Sequence, residues 1–315
     1  MNSETPEISV IMATYHPVWD KCLFTLESII AQKNVDLELL ITDDGSKDNL
    51  FEKFTSYLNE KGFTNYRLLS HEENQGTVKN YYDGISAAKG KYIKLISPGD
   101  ALYNETTLEK WLRFLKESGN VWSFAEATYY TTTDDNRKEL LNVAVAPRLI
   151  GCYLKSKRDQ CRWNYVVLED MPLGAAILCE REKLLDYIGN IVGLVKFAED
   201  TSLSTMMYDG ILPAYYSKSV VFYEFGIGVS TGNSKWRARF LEDMRNFETF
   251  LINRESKDAF QKKMTRALSS INSGSTLKKK IMKALQKGGL RKVIKYRLHP
   301  RKSSTDVTGC GAWWK

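Results

Sequence analysis

The stretch KYIKLISPGD, residues 91 to 100, decides how the chain is read. Lys91 to Ile96 carry the apolar and aromatic enrichment of a buried strand, and Pro98 with Gly99 then stops pairing and swings the chain into a turn. A lone carboxylate, Asp100, is thereby delivered to a strand's end. Open α/β sheets put ligand chemistry at that end, whereas ordinary turns put Asp there to cap helices and satisfy backbone N–H groups. The stretch alone leaves both readings open.

Upstream, strands and helices alternate. ISVIMA (8 to 13) has strand length, and PVWDKCLFTLESIIAQ (17 to 32) reads as a helix with Pro17 in its first position and Leu23, Leu26, Ile29 and Ile30 at helical spacing. LELLIT (37 to 42) is a second strand, and LFEKFTSYLNEKG (50 to 62) a helix capped by Asp48 or Asn49 and stopped by Gly62. YRLLSH (66 to 71) and GTVKNYYDGISAAKG (76 to 90) complete a βαβαβαβ run, which implies a parallel sheet. Downstream the pattern loosens. It predicts a helix over 106 to 119, a strand over 121 to 130, an exposed turn at TTTDDNRKE, a strand over 172 to 179 and a helix over 181 to 189. A further helix opens near Glu199 and Asp200, and a last strand covers 220 to 226. Residues 235 to 270 read as helical, SINSGST (270 to 276) as a linker. The expected class is α/β, a Rossmann-like, mostly parallel central sheet flanked by helices, with a C-terminal helical extension.

The 315 residues are 43% hydrophobic and 12% aromatic, ordinary for a folded chain. No leader pattern opens the sequence and no run of about 18 apolar residues occurs, so neither export nor membrane spanning is expected. Cys22, Cys152, Cys161, Cys179 and Cys310 are scattered without a C-x-x-C, which argues against zinc or a disulfide framework and suits a reducing, cytoplasmic setting. The net charge of +7 is uneven. Residues 278 to 302 hold eleven Lys or Arg and no acid, leaving 34 basic against 38 acidic residues elsewhere. Ile281, Leu285, Leu290, Val293, Ile294 and Leu298 recur at helical spacing between those cations, as in a helix lying on an anionic membrane surface. An inert or partner-binding tail is the alternative. Nucleic acid is not expected, since no stacking platform or nucleic-acid motif accompanies the charge.

Only three histidines occur, and G-x-S-x-G, Walker A and G-x-G-x-x-G are absent, so carboxylates must carry any catalysis. They gather at Asp43-Asp44 after the second strand, at Asp100 after the fourth, and at Glu199-Asp200. Successive residues at a strand's end point opposite ways, so one of Asp43 and Asp44 should face the crevice and the other tie down a loop.

The order ISVIMATYHP, LLITDDGSKD, ENQGTVKN, AAKGKYIKLISPGD, PLGAAIL, FAEDTSL and YEFGIGVST resembles that of the family 2 glycosyltransferases. These are inverting enzymes of the GT-A fold that move a sugar from a nucleoside diphosphate to an acceptor hydroxyl. The resemblance covers about residues 7 to 232. It implies that Tyr15 stacks on a nucleobase, most often uracil, and that Asp44 accepts a hydrogen bond from it, with Thr14, Asp43 and Gly174 in the same donor site. A π face beyond a buried strand and an ionised carboxylate facing a ring N–H suit those roles. The plainer readings are half-buried packing for Tyr15 and an Asx-turn for the Asp pair. Asn74, Gly76 and Lys79 match a loop near the donor, where Lys79 would meet the diphosphate or be a plain surface lysine.

At Ser97-Pro98-Gly99-Asp100 the family usually carries Asp-x-Asp holding Mn²⁺ or Mg²⁺. Ser97 and Gly99 depart from it, so the metal site rests on Asp100 with phosphate oxygens and water, or is absent. Glu199-Asp200 matches the family's ED motif. Asp200 is implied as general base and Glu199 as the residue orienting donor or acceptor; the alternative is a pair of carboxylates at a helix N-terminus. Glu169-Asp170 is a rival pair that precedes a strand. The glycines of YEFGIGVSTGNSKW (223 to 236) suit close approach to a ligand, and Trp236 suits a sugar ring or core packing.

The resemblance further implies a UDP-sugar donor and a glycan or lipid-linked acceptor in surface-polysaccharide synthesis, at the inner membrane face. The chain divides into a donor half (1–100), an acceptor half (101–232), a helical extension and linker (233–276) and a basic amphipathic tail (277–315). A non-catalytic nucleotide-sugar-binding or scaffold protein is the competing reading, because it explains the missing acids.

Overall fold

The computed structural model describes residues 5–226, 235–272 and 276–314. In β1 (Ile8–Thr14), Ile8, Val10 and Met12 enter one hydrophobic cluster and Ile11 the other, the period of two that a strand covered on both faces requires. β2 (Leu37–Asp43) is buried throughout. It pairs in parallel with β1 and with β3 (Tyr66–Ser70), while β4 (Tyr92–Ile96) pairs in parallel with the other side of β1. The crossovers are α1 (Trp19–Ile30), α2 (Phe51–Glu60) and α3 (Thr77–Ala87). Because the chain steps outward through β2 and β3 and returns beyond β1, the C-terminal ends of β1 and β4 form a topological switch point, where open sheets bind ligands.

The second half extends the sheet. It runs β5 (Ala101–Leu102), α4 (Thr107–Ser118), β6 (Trp122–Thr132), β7 (Lys138–Leu141), α5 (Gly151–Leu154), α6 (Arg158–Val166), β8 (Ile177–Glu180), α7 (Arg181–Gly189), α8 (Thr201–Tyr208) and β9 (Ala214–Glu224). Among the described residues, four helices follow: α9 (Lys235–Asn253), α10 (Ala259–Asn272), α11 (Thr276–Leu285) and α12 (Gly289–Leu298). The strand order is β3-β2-β1-β4-β8-β6-β9-β5, with β7 beside β6. One face is packed by α1, α2 and α4 through Leu26, Phe54, Trp111 and Leu115. The other is packed by α3 and α6 to α10 through Val78, Tyr165, Leu184, Met206, Leu251 and Met264.

Some elements differ from the sequence reading. Pro17 does not open α1: the helix starts at Trp19, after Val18, whose carbonyl accepts from Cys22 N. The strand expected over 172 to 179 begins only at Ile177, because Gly174–Ala176 is a 3-10 turn whose Ala175 carbonyl accepts from Lys94 Nζ at 2.6 Å. The polar stretch at 131 to 139, expected as an exposed turn, is the tip of a hairpin whose return strand, β7, pairs antiparallel with β6. After α12 the chain turns back. Ala144 and Lys302 form an antiparallel bridge, and the indole of Trp314 stacks on Phe222 at 4.1 Å.

Candidate functional site

A cavity of about 850 Å³ lies at the switch point. Tyr15, Asp44, Asn74, Ser97, Asp100, Gly174, Glu199 and Asp200 all line it, so the three acidic sites of the sequence open onto one space. Thr14, Asp43, Gly76, Lys79 and Gly99 are not among its lining residues.

Asp43 and Asp44 divide their work. Asp43 is fully buried and accepts from Thr14 Oγ1 at 2.9 Å, Ser46 Oγ at 2.8 Å and Ser46 N at 2.7 Å, which fixes the turn after β2. Asp44 faces the cavity and also accepts from Gln75 N at 2.8 Å and Gly76 N at 2.9 Å. His71 links it to α3, with Nδ1 3.0 Å from Asp44 and Nε2 2.8 Å from Asp83. Lys79 pairs with that same Asp83, at 2.5 Å across one helical turn, and does not line the cavity, the arrangement of the surface-lysine alternative. Gly76 meets a backbone requirement: its φ is +94°, and a Cβ there would lie 2.7 Å from the carbonyl of Lys196.

That contact helps to position the second acidic site. Val78 N donates to the Lys196 carbonyl at 3.0 Å, and Asp243 of α9 accepts from Lys196 N at 3.1 Å and Phe197 N at 2.7 Å. Residues 196 and 197 are therefore clamped between two helices, and Glu199 and Asp200 follow at the entry to α8. Gly174 faces Asp200, where a Cβ would lie 3.6 Å from that residue's own. Burial pushes both carboxyls up, Glu199 to about 8 with the Asp200 charge adding to the effect. The rival Asp170 is fully buried and holds the backbone N–H groups of Arg148 and Leu149, while Glu169 lines the cavity.

At the end of β4, Gly99 takes φ +99° and leaves room that a side chain would fill: a Cβ would sit 2.5 Å from Oε2 of Glu224. A second carboxylate thus reaches the Asp100 turn from β9. Glu224 N donates to Asp100 Oδ1 at 3.2 Å, and Lys21 Nζ lies 2.9 Å from Glu224 Oε2. Burial raises the Asp100 carboxyl, opposed by the Glu224 N–H and by Lys94, whose own ammonium is lowered by burial. Lys21 and Glu224 both line the cavity. Sequence reasoning missed them because they meet across 203 positions and neither belongs to a motif.

Among the described residues no three of His, Cys, Asp and Glu form a metal cluster. Glu224 is held on both oxygens, by Lys21 and by Thr132 Oγ1 at 2.8 Å, so Asp100 is the carboxylate suited to an ion such as Mg²⁺ or Mn²⁺, whose shell phosphate and water would complete. The glycines at 228 and 232 and the side chain of Trp236 lie outside the described residues.

Comparison with known proteins agrees with this geometry. The model of the family "Glycosyl transferase family 2" matches residues 9–180. Escherichia coli (strain K12) has a relative named uncharacterized glycosyltransferase YibD, 29% identical over 53% of this chain and 48% of its own. Glycosyltransferase GlyG of Streptococcus pneumoniae is 27% identical over 41% of this chain and 44% of its own. The chain thus spans less than half the length of these relatives. Among solved structures, residues 1–349 of S. aureus TarS with UDP-GlcNAc align with a TM-score of 0.57 at 17% identity, covering 88% of this chain and 80% of that one. The mannosyltransferase PcManGT from Pyrobaculum calidifontis, with GDP-Man and Mn²⁺, aligns with a TM-score of 0.56 at 14% identity, covering 94% and 88%. The fold is that of the GT-A glycosyltransferases. With its family model spanning more than half of its length, across the strands that carry Asp44 and Asp100, this chain belongs to glycosyl transferase family 2.

Proposed function

We propose that the protein is an inverting glycosyltransferase that moves a sugar from a nucleoside diphosphate, a UDP-sugar, to a hydroxyl of a glycan or lipid-linked acceptor in cell-surface polysaccharide synthesis. The observation that carries the reading is the convergence of Asp44, Asp100 and Asp200 on one cavity at the sheet's switch point. Residues 1–100 supply the donor side and 101–232 the acceptor side.

Tyr15, 42% exposed on the cavity wall, offers its ring to the base. Among the described residues Asp44 Oδ2 accepts one hydrogen bond, from Gly76 N, which leaves a lone pair for a uracil N–H. Asp200 takes the proton of the acceptor hydroxyl as that oxygen attacks the sugar's C1 from the face opposite the diphosphate. Glu199, whose carboxyl burial and the Asp200 charge push up to about 8, donates a hydrogen bond to the sugar or acceptor in its protonated form. Asp100 would hold Mn²⁺ or Mg²⁺, and an ion bound there neutralises the charge that builds on the departing diphosphate. Lys21 adds a positive charge to the same wall.

A panel of nucleotide sugars, assayed for donor hydrolysis with and without Mn²⁺, tests the reading without needing the acceptor. Turnover of a UDP-sugar that Asp100→Ala loses is the expected result. Binding of UDP-sugars with neither hydrolysis nor transfer, under any cation, would favour a non-catalytic nucleotide-sugar-binding protein instead.

A further inference from the structure

The last two helices are packed the wrong way round for a water-soluble surface. On α11, Leu277, Ile281 and Leu285 recur every fourth residue and are 68%, 51% and 73% exposed. On α12, Leu290, Ile294 and Leu298 repeat the spacing at 63%, 43% and 68% exposure. A helix on a soluble fold turns such a stripe inward. Here the opposite faces are the ones that dock. Lys279 pairs with Glu248 at 3.0 Å, Lys283 pairs with Glu169, and Lys292 donates to the Leu168 carbonyl, while Tyr296 lies under the Arg148 guanidinium at 4.2 Å. Lysines spend their charge on the body of the protein, and six aliphatic side chains are left facing outward.

Cations border that stripe. Lys280 stands beside Ile281, and Arg291 and Arg297 flank Ile294 at three-residue spacing, all exposed. Residues 278 to 302 contain no acid to repel an anionic surface. Apolar stripe and flanking cations together match the interface of an anionic bilayer, in which the aliphatic groups enter the acyl boundary and the cations meet the headgroups. A nucleic-acid partner would leave the aliphatic stripe in water.

The docking side carries the second part of the argument. Lys283 and Lys292 hold residues 168 and 169, and Glu169, Met171 and Pro172 form one wall of the cavity. We propose that the α11–α12 hairpin seats the protein on an anionic membrane through its outward aliphatic stripe, with the cavity wall of Glu169 to Pro172 held on the hairpin's inner face, one helix thickness from the lipid and within reach of a lipid-borne acceptor. The acceptor part rests on the transferase reading above; the membrane part does not.

The test is flotation of the full chain with vesicles of phosphatidylcholine containing phosphatidylglycerol, and with phosphatidylcholine alone, at near-physiological salt. Binding to the anionic vesicles, and about a hundredfold weaker partitioning of the double variant Ile281→Glu/Ile294→Glu, are expected from the apolar burial lost at two sites. Both side chains are exposed, so the variant should keep the wild-type melting temperature and hydrolyse a soluble UDP-sugar at the wild-type rate. Should that variant misfold, Leu285→Ala/Leu290→Ala serves the same purpose with a smaller loss. Wild-type protein that stays off anionic vesicles, or a double variant that floats as well as wild type, would overturn the proposal and leave the donor chemistry untouched. Equal binding to duplex RNA and to vesicles would also count against it.

Discussion

Glu199 and Asp200 stand side by side at the cavity, and burial makes it costly for both to be ionised at once. As pH rises through about 8, Glu199 loses its proton; it then stops donating and places a second negative charge beside the base. Transfer should therefore fall on that alkaline side, and Glu199→Gln, which stays neutral, should keep its rate at neutral pH and lose the alkaline limb. A pH profile of kcat/KM for both proteins checks this. On the acid side the rate should fall as Asp200 becomes protonated. Asp100 and Asp200 were legible because one follows a strand and the other opens a helix, and the order of the motifs set them apart from ordinary turn acids. Glu224 and Lys21 were not. Their meaning lies in a contact between β9 and α1 that only the closed sheet creates, and the same is true of the Asp83 that pairs with Lys79.

The strands and helices up to Ile96 could be read from the sequence because a βαβ unit writes its own period, two for strands and 3.6 for crossovers. Helix α6 could not. Its buried Arg162 donates to the carbonyls of Met207 and Tyr208, at 3.2 and 2.7 Å, so a polar side chain fills a position that periodicity reserves for an apolar one. The loop leading into α3 shows how elements are tied into the site. Gly76 combines left-handed φ with contact to Lys196, and Gly76→Ala brings both backbone strain and a clash. A loss of about 1–3 kcal/mol is expected, seen as a lower melting temperature, together with weaker UDP binding because the Asp44 and Lys196 contacts shift together. A Gly76→Ala protein as stable as wild type would show that this loop yields without cost.

The chain's end belongs to the body of the molecule. Trp313 is 8% exposed and donates its indole N–H to the Leu102 carbonyl at 2.9 Å, Trp314 stacks on Phe222, and Ser303 Oγ accepts from Val143 N at 3.1 Å. The segment carries no period and no motif, so its sequence gave no hint that it closes the edge of the sheet at β5. Trp313→Ala should cost about 3–5 kcal/mol in thermal or denaturant unfolding, as expected for a buried indole, whereas an appended tail would lose almost nothing. No helix among the described residues is long and apolar enough to cross a membrane. In the proposed reaction a single cavity both holds the donor and supplies the base. The most direct measurement is paired UDP binding and UDP-sugar turnover in wild type and Asp200→Asn. The variant should bind UDP within about twofold of wild type and turn over the donor roughly 10²- to 10⁴-fold more slowly. Equal turnover by the two proteins would contradict the account.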